Sequence, residues 1–453
     1  MAMKTWKLST GLLSVVVVGA STVVQGCGTA STSSSGSKDT SSSSGGVVQL
    51  TYWNMWSGKW EQVVQKMVDQ FNATHPNIHV NMLAVPSASG DQKLLTAIAA
   101  GDPPDVFTEW NASIGEFAAK GAVMNLDQFM TGKYAGLKNW FYPSVTQFGT
   151  YNGKLYAMPW TENTYALYYN KTMMKQAGLN PNDPPTTLAQ LFTVQNKEWK
   201  FGNGGVVTQM GFYPSGNFEH LMPAFGLSGS DLFTNGKYNL LNTKAENDMS
   251  YIAQFKKYPY SQVSAFTSGL DSAGGGSTDA FDIGKEGFTI SGMWEMGQIQ
   301  ADDPSLSYGV EPLPVGPGGN ANSTWINGNY NMIPSGSKHP EQAFEFISWL
   351  AGYENAAWAA EAYPTGGWVP NSPEITKQPA YQKWLSQDPV RKQFVNVLNS
   401  PKSTTDPVTP AAMLYETQLT NAEDYVLQGK KSVTQALSDL QNQANQELQN
   451  DAK

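Results

Sequence analysis

Residues 91–110 read DQKLLTAIAAGDPPDVFTEW, and this stretch indicates the fold class of the chain. Its first half predicts a helix, Gly101 predicts where that helix stops, and a strand is predicted from Asp105. A helix that gives way directly to a strand is one unit of an alternating pattern. The residues upstream repeat the same alternation.

Two predicted strands upstream flank a longer predicted helix. The strands are residues 49–53, within VVQLTYW (47–53), and residues 78–85. Apolar residues recur between them at helical spacing, and Pro76 follows the predicted helix end. These apolar residues are Val63, Val64, Met67, Val68 and Phe71. Strands alternating with helices predict an α/β fold, with helices covering both faces of a sheet.

Tryptophan residues follow three of the predicted strands. Ligands of such sheets bind at the carboxyl ends of the strands. Those ends read WNMWSGKW (53–60), TEWN (108–111) and AMPWTENTY (157–165), and each carries Trp beside Asn or Glu. The chain has 14 Trp, many of them in polar, Gly/Pro-rich segments. Either most of them belong to the core, or several form a site on which flat apolar ligand faces, such as those of sugars, stack.

The first 46 residues have the pattern of an export signal followed by a tether. Lys4 and Lys7 precede the apolar run LLSVVVVGASTVV (12–24), which is too short to span a bilayer. The sequence VVQGC (23–27) resembles a bacterial lipobox, although Gln25 departs from the usual small residue. We therefore predict a lipoprotein signal peptide at 1–26, a lipidated Cys27, and a Ser/Gly-rich flexible tether at 27–46. The alternative is an ordinary secretory signal with a spare cysteine.

Composition restricts the classes of partner and of chemistry. The net charge of −9 makes a nucleic-acid partner unexpected, because phosphate backbones require basic surfaces. Cys27 is the only cysteine, so no disulfide and no thiolate metal site is expected. The four His are scattered without metal-ligand spacing, and we predict neither a cofactor nor a metal. After the signal there is no second long apolar run, and about 400 residues favour two domains.

The order of several motifs resembles that of the family 1 extracellular solute-binding proteins of ABC importers, the maltose-binding-protein type. The matching stretches are AAGDPPDVF (99–107), GKLYAMPW and ALYYNKTMMKQAGL (153–179), FDIGKEGFTISGMW (281–294), YGVEPLPVGPGG (308–319), NGNYNMIPSGSKHPEQAFEFISWL (327–350) and QGKKSVTQALSDLQNQAN (428–445). Each motif alone is weak, but their order extends over residues 47–450.

The resemblance implies a two-lobed periplasmic-binding-protein-like α/β fold (type II), with a ligand cleft between lobes joined by crossing strands. Lobe one would comprise residues 47–160 and 307–335, and lobe two residues 161–306 and 336–453. The crossings would fall near residues 159–169, 303–308 and 331–338, and the loop 270–282 could border the cleft.

The resemblance also implies ligand-binding residues. Trp294 ends TISGMW, where the family places an aromatic ring that stacks on a sugar. Tyr415 lies 14 residues before Gly429, the spacing of a second stacking aromatic. Asn163 stands where the family has a carboxylate, so a neutral hydrogen-bonding group replaces a charge there. The remaining predicted ligand residues are Trp53, Asn54, Trp56, Lys93, Glu109, Trp110, Asn111, Trp160, Glu162, Phe218, Trp325 and Trp368.

The expected function is capture of a sugar, more specifically an oligosaccharide, by closure of the cleft and its delivery to an ABC permease powered by an ATPase. The resemblance further implies a monomer on the extracellular face of the cytoplasmic membrane, anchored through Cys27. One alternative is a secreted glycoside hydrolase, for which Glu109, Glu162 and Glu295 are candidate carboxylic acids. Others are a binding protein for a non-sugar polyol or glycerol phosphate, and a structural cell-surface protein.

Overall fold

The computed structural model describes residues 46–271 and 279–451, and the predicted signal peptide, Cys27 and nearly all of the predicted tether lie outside them. The strands are β1 (Val48–Asn54), β2 (Ile78–Ala84), β3 (Val106–Trp110), β4 (Thr150–Tyr151), β5 (Lys154–Leu155), β6 (Ala157–Asn170), β7 (Lys200–Phe201), β8 (Val207–Gln209), β9 (Phe233–Thr234), β10 (Lys237–Tyr238), β11 (Phe288–Gly292), β12 (Tyr308–Glu311), β13 (Ile326–Met332) and β14 (Val369–Pro370).

The α-helices are α1 (Gly58–Thr74), α2 (Ser87–Ala99), α3 (Ala112–Ala119), α4 (Pro143–Thr146), α5 (Lys171–Gln176), α6 (Leu188–Gln195), α7 (Phe218–Leu221), α8 (Gly229–Leu232), α9 (Thr243–Ala253), α10 (Tyr260–Asp271), α11 (Glu295–Asp302), α12 (Pro340–Leu350), α13 (Ala356–Gly366), α14 (Pro373–Thr376), α15 (Pro379–Ser386), α16 (Pro389–Leu398), α17 (Ala412–Leu427) and α18 (Val433–Asp451). Short 3-10 helices span Leu126–Phe129, Gly132–Tyr134, Leu137–Asn139, Asn203–Gly205, Met222–Phe225 and Gln254–Lys257.

The first three strands and the helices between them confirm the predicted α/β alternation. In β1 the residues Leu50, Tyr52 and Asn54 are buried, which is the two-residue period of a strand. In α1 the buried residues are Val64, Met67, Val68 and Phe71, which form one face of the helix. Strand β1 pairs in parallel with both β2 and β3, so the carboxyl ends of these strands lie at one edge of the sheet.

The long strand β6 connects the two halves of the main sheet. The strand order is β11-β6-β13-β3-β1-β2, and β12 and β14 also pair with β6. Residues from Ala157 to Thr164 of β6 pair with β13, and those from Tyr165 to Tyr169 pair with β11. All 14 residues of β6 are buried, because helices and loops cover both of its faces.

The buried apolar side chains form two cores. The first core includes Leu50, Phe107, Ile347 and Phe394, and the second includes Phe218, Met249 and Leu437. Strand β6 contributes to both, since Ala166 and Tyr168 belong to the first core whereas Tyr165, Leu167 and Tyr169 belong to the second. Side chains of a strand alternate between faces, so one strand can join both cores.

The cores differ from the predicted lobe boundaries in several places, and most extensively in the C-terminal part of the chain. Residues 336–453 were assigned together to lobe two, but buried residues from Ala343 to Leu398 belong to the first core. Only from Ala411 onward does the chain contribute to the second core again. The apolar face of α12 packs against β1, with the rings of Phe346 and Tyr52 at 5.3 Å. An apolar helix face predicts that the helix is buried, but it does not reveal against which of the two cores the helix packs.

Within the described ranges, no helix combines the length and the apolar composition needed to cross a bilayer.

Candidate functional site

A cavity of about 500 Å³ opens among side chains that pack on both cores. Trp56 and Trp60 pack against the first core, and Trp294 packs against the second. The lining residues are Trp56, Trp60, Trp110, Asn163, Asp279, Asp282, Ser291, Trp294, Glu295, Gln298 and Trp368. A cavity lined by aromatic rings and a few polar groups is typical of a binding site for a small organic ligand.

Three of these tryptophans form a contiguous aromatic wall on the first-core side. Trp56 follows β1, and Trp110 is the last residue of β3; their rings meet edge-to-face at 5.5 Å and 80°. The ring of Trp368 lies 6.5 Å from that of Trp56. Trp368 is backed in turn by the fully buried ring of Trp160 at 5.5 Å. Packing against neighbouring rings restricts each indole to one orientation.

Trp294 contributes a further ring to the cavity, and its indole lies against Gly292. A Cβ atom on Gly292 would come within 1.9 Å of Cζ3 of that indole. Gly367, at a φ of +67°, passes close to the backbone of Trp294, since its Cβ would lie 2.7 Å from the Trp294 Cα. In the same way, a Cβ on Gly366 would lie 2.4 Å from Cδ2 of Trp368. The glycines of SGMW (291–294) and GGW (366–368) therefore allow the rings of Trp294 and Trp368 to lie close to the backbone.

We expect Gly292→Ala to displace the Trp294 indole and to lower the free energy of unfolding by about 1–3 kcal/mol, as overpacking of a filled site does. Near-ultraviolet circular dichroism and urea unfolding measure the two effects. Gly297→Ala is the matched control, because nothing lies within 4 Å of a Cβ at this position in α11. That change should stabilise the helix by about 0.5–1 kcal/mol. Equal behaviour of the two variants would contradict the described position of the indole.

The polar groups of the cavity are mostly carboxylic acids and amides. Ser291 Oγ donates to Glu295 Oε2 at 2.9 Å. Asn163 Nδ2 donates to Asn327 Oδ1 at 3.0 Å, which also accepts from the Tyr165 hydroxyl at 3.1 Å. The Lys59 ammonium donates to Gln298, so a residue of α1 is tied to a residue of α11 across the cavity.

Asp282 and Glu295 form a carboxylic acid pair in this cavity. Burial raises the pKa of Asp282 to about 9, and the negative charge of Glu295 adds to the effect. Burial also raises the pKa of Glu295. At neutral pH the pair therefore holds at least one proton, because two close buried carboxylates do not ionise together. Such a pair can both donate and accept hydrogen bonds.

A second cavity of about 530 Å³ adjoins the first and shares Trp60 and Trp294 with it. Its lining includes Tyr308, Trp384 and Arg391, whose guanidinium carbon lies 4.3 Å above the Trp384 ring. The two cavities thus extend the site on both sides of a shared pair of tryptophans.

Of the residues predicted to bind ligand, the structure brings five together in the first cavity. They are Trp56, Trp110, Asn163, Trp294 and Trp368. A second group supports the site from behind: Asn54 Nδ2 donates to the carbonyl oxygen of Trp56, Glu109 Oε1 accepts from the Trp110 amide, and Asn111 Oδ1 accepts from the Gly328 amide.

The other predicted residues do not line either of the two cavities. Trp160, Phe218, Trp325 and Tyr415 are buried in the two cores. Glu162 is also fully buried; burial raises its pKa, and it accepts from the Tyr330 hydroxyl at 3.4 Å. Trp53 packs against the first core, and Lys93 is exposed on α2. Sequence position at a strand end does not distinguish a side chain in the cavity from one directly behind it.

Several residues that line the cavity were not predicted to bind ligand, although sequence features could have indicated some of them. Gln298 follows Trp294 by four residues at the start of a helix, so both lie on one side of it. Asp279 and Asp282 belong to the loop 270–282 that was expected to border the cleft, and residues 272–278 of it lie outside the described residues. Trp60 is part of the quoted WNMWSGKW stretch. Glu295 was considered only as a hydrolase acid.

The fold and the site together define a binding protein in which aromatic side chains packed on two cores face a shared cavity. The chain belongs to the family of bacterial extracellular solute-binding proteins, whose family model matches residues 57–357. This confirms the resemblance found in the motifs. Membership of a binding-protein family identifies the chain as a solute-binding protein and not as the alternative glycoside hydrolase.

Individual relatives agree with this family. The Maltotriose-binding protein of Pyrococcus abyssi (strain GE5 / Orsay) is 24% identical over 383 residues, 80% of this chain and 70% of its own. The Arabinooligosaccharide-binding protein of Bacillus subtilis (strain 168) is 25% identical over 364 residues, 77% of this chain and 80% of its own. The solved structure of CpMnBP1 with mannotriose bound is 31% identical, with a TM-score of 0.78, over 88% of this chain and 100% of the other.

Proposed function

We propose that the protein is the sugar-binding component of an ABC importer, which binds a neutral oligosaccharide in the cavity between the two cores and delivers it to a membrane permease. The observation that supports this proposal best is the aromatic lining, with Trp56, Trp110 and Trp368 on one side and Trp294 on the other. Indole rings are flat apolar surfaces that complement the C–H faces of sugar rings.

An oligosaccharide fits the dimensions of the site better than a single sugar ring does. The two adjoining cavities, of about 500 and 530 Å³, are each within the range of pockets for whole small ligands. They meet at Trp60 and Trp294, so a linear chain of rings can pass from one to the other across the same pair of indoles.

The electrostatics of the first cavity favour a neutral ligand. Its ionisable residues, among those the structure describes, are the carboxylic acids Asp279, Asp282 and Glu295, and none of them is cationic. The ammonium of nearby Lys59 is already engaged by Gln298. A glycerol phosphate or an acidic sugar would bring like charge into a partly desolvated site, which is costly. This argues against the glycerol phosphate alternative.

Mannose oligosaccharides are the first ligands to test, because CpMnBP1, the 31% identical structure, has mannotriose bound. The ligand would contact residues packed on both cores, so it would favour the arrangement in which the two sides approach each other. Only such differential contacts can shift the protein toward a closed state that a permease recognises.

The test is isothermal titration calorimetry of the full chain against mannotriose, mannobiose, maltotriose, trigalacturonate and glycerol 3-phosphate. We expect saturable binding of at least one neutral oligosaccharide, recovered intact, and no binding of the two anionic ligands. Binding of trigalacturonate more tightly than any neutral sugar, or no binding of a neutral sugar, would contradict the proposal. Recovery of shortened sugars would restore the hydrolase alternative.

We also infer that the protein is held at the extracellular face of the cytoplasmic membrane by lipid on Cys27. The family is extracellular, and VVQGC followed by a Ser/Gly-rich segment supports an anchored, tethered domain. Partition of the expressed protein into a Triton X-114 detergent phase tests this inference. The protein should enter that phase and Cys27→Ala should not, whereas equal partition of the two would exclude the anchor.

A further inference from the structure

Three carboxylic acids outside the cavities described above lie together beside the second core. They are Glu219 in α7, Asp406 in the segment between α16 and α17, and Glu416 in α17. One carboxylate oxygen from each lies within 4.8 Å of those of the other two. Asp406 is only 7% exposed, and the two glutamates are partly buried.

The surrounding structure fixes these side chains without neutralising them. Backbone hydrogen bonds from Ile326 N to Thr404 O and from Thr404 N to Thr324 O hold the segment that carries Asp406. Helix α7 is held by Glu423, which accepts from the amides of Asn217 and Phe218 at 3.1 and 3.2 Å. The three acids are thus brought together from distant parts of the chain.

Two buried oxygens of the cluster have no hydrogen-bond donor in the part of the chain that the structure describes. Asp406 Oδ2 accepts from the indole N–H of Trp325 at 2.6 Å, but Asp406 Oδ1 and Glu219 Oε1 are buried and accept from no described residue. The buried Tyr415 hydroxyl beside them is also unpaired within the described chain. No ion pair among the described residues includes any of the three acids. A buried carboxylate oxygen without a donor is unfavourable, and a bound cation would satisfy it.

We propose that Glu219, Asp406 and Glu416 form a binding site for a hard divalent cation such as Ca²⁺. Carboxylate oxygens are the ligands that hard cations prefer, and three carboxylates offer up to six. One oxygen of each acid lies within 4.8 Å of the others, so a single ion can contact all three side chains. The cation would tie α7 and α17 to the segment that returns the chain from the first core to the second.

The experiment uses the full chain, treated with EDTA and dialysed, without any sugar. We expect CaCl₂ at about 100 times its Kd to raise the Tm by about 3–5 °C at pH 8. Terbium(III) provides a readout that does not depend on stability, since Trp325 adjoins Asp406 and should sensitise terbium luminescence on excitation at 280 nm.

The variants Glu219→Gln and Glu416→Gln keep the shape of each side chain and should abolish both the Tm shift and the luminescence. Glu361→Gln, at an exposed position of α13, is the matched control and should retain both. Retention of both signals in the two cluster variants would overturn the proposal, as would the absence of any Ca²⁺ or terbium response in the parent protein. The proposal would also be overturned if the cluster variants lost sugar affinity and the parent protein showed no cation response. The acids would then serve as acceptors for sugar hydroxyls.

Discussion

Replacing Trp294 with alanine is expected to weaken mannotriose binding by about 30- to 150-fold, which corresponds to about 2–3 kcal/mol. Trp294 lines both adjoining cavities and packs against the second core. Its ring packs against Gly292 and meets Tyr165 edge-to-face at 5.6 Å and 87°, so little entropy is lost when a sugar ring stacks on it. Isothermal titration calorimetry measures the change in affinity.

Trp358→Ala is the matched control for this substitution. Trp358 lies in an outer groove lined also by His75 and Trp349, and its ring packs on Trp349 at 3.8 Å. It does not line either of the two adjoining cavities, so mannotriose affinity should change less than twofold. If Trp358→Ala impaired binding as much as Trp294→Ala did, the ligand would not be in the cavity between the cores.

Replacing Trp160 with alanine is expected to lower the free energy of unfolding by about 3–5 kcal/mol, the usual cost of emptying a buried tryptophan site. The Trp160 side chain is 0% exposed and lies in β6, the strand that contributes to both cores. Its ring supports Trp368 at 5.5 Å, so mannotriose affinity should also fall, as an indirect consequence. Urea unfolding with parallel calorimetry measures the two effects.

Trp160→Phe separates the structural role of this residue from a ligand contact. The Trp160 Nε1 atom has no hydrogen-bond partner among the described residues, so phenylalanine removes no hydrogen bond. We expect this variant to lose about 1–2 kcal/mol of stability and to retain mannotriose affinity within about threefold. Loss of binding at unchanged stability would show that Trp160 contacts the sugar directly.

Much of the fold could be predicted from local sequence patterns. The two-residue alternation of β1 and the apolar face of α1 are encoded in consecutive residues, and both elements form where the patterns place them. The tryptophan-rich ends of β1 and β3 could also be predicted to form a site, because parallel strands bring their carboxyl ends to one edge of the sheet. Trp56 and Trp110 line the cavity for that reason.

What could not be predicted depends on contacts between distant segments. Trp110 is the last residue of β3 and Trp160 lies within β6, yet only Trp110 lines the cavity. The difference arises because Trp368, some 200 residues later in the chain, packs between Trp160 and the cavity. The placement of α12 on the first core has the same origin, since an apolar helix face does not specify its partner. Family spacing identified Trp294 but also suggested Tyr415, which is buried in the second core at 1% exposure.

The most direct test of the central claim is hydroxyl-radical footprinting of the tryptophans, read by mass spectrometry, with and without saturating mannotriose. We expect the sugar to protect the partly exposed Trp60, Trp110 and Trp294, while Trp349 and Trp358 in the outer groove remain as reactive as before. Protection confined to the outer groove, or saturable binding that leaves the cavity tryptophans unprotected, would contradict the assignment of the ligand site to the cavity between the two cores.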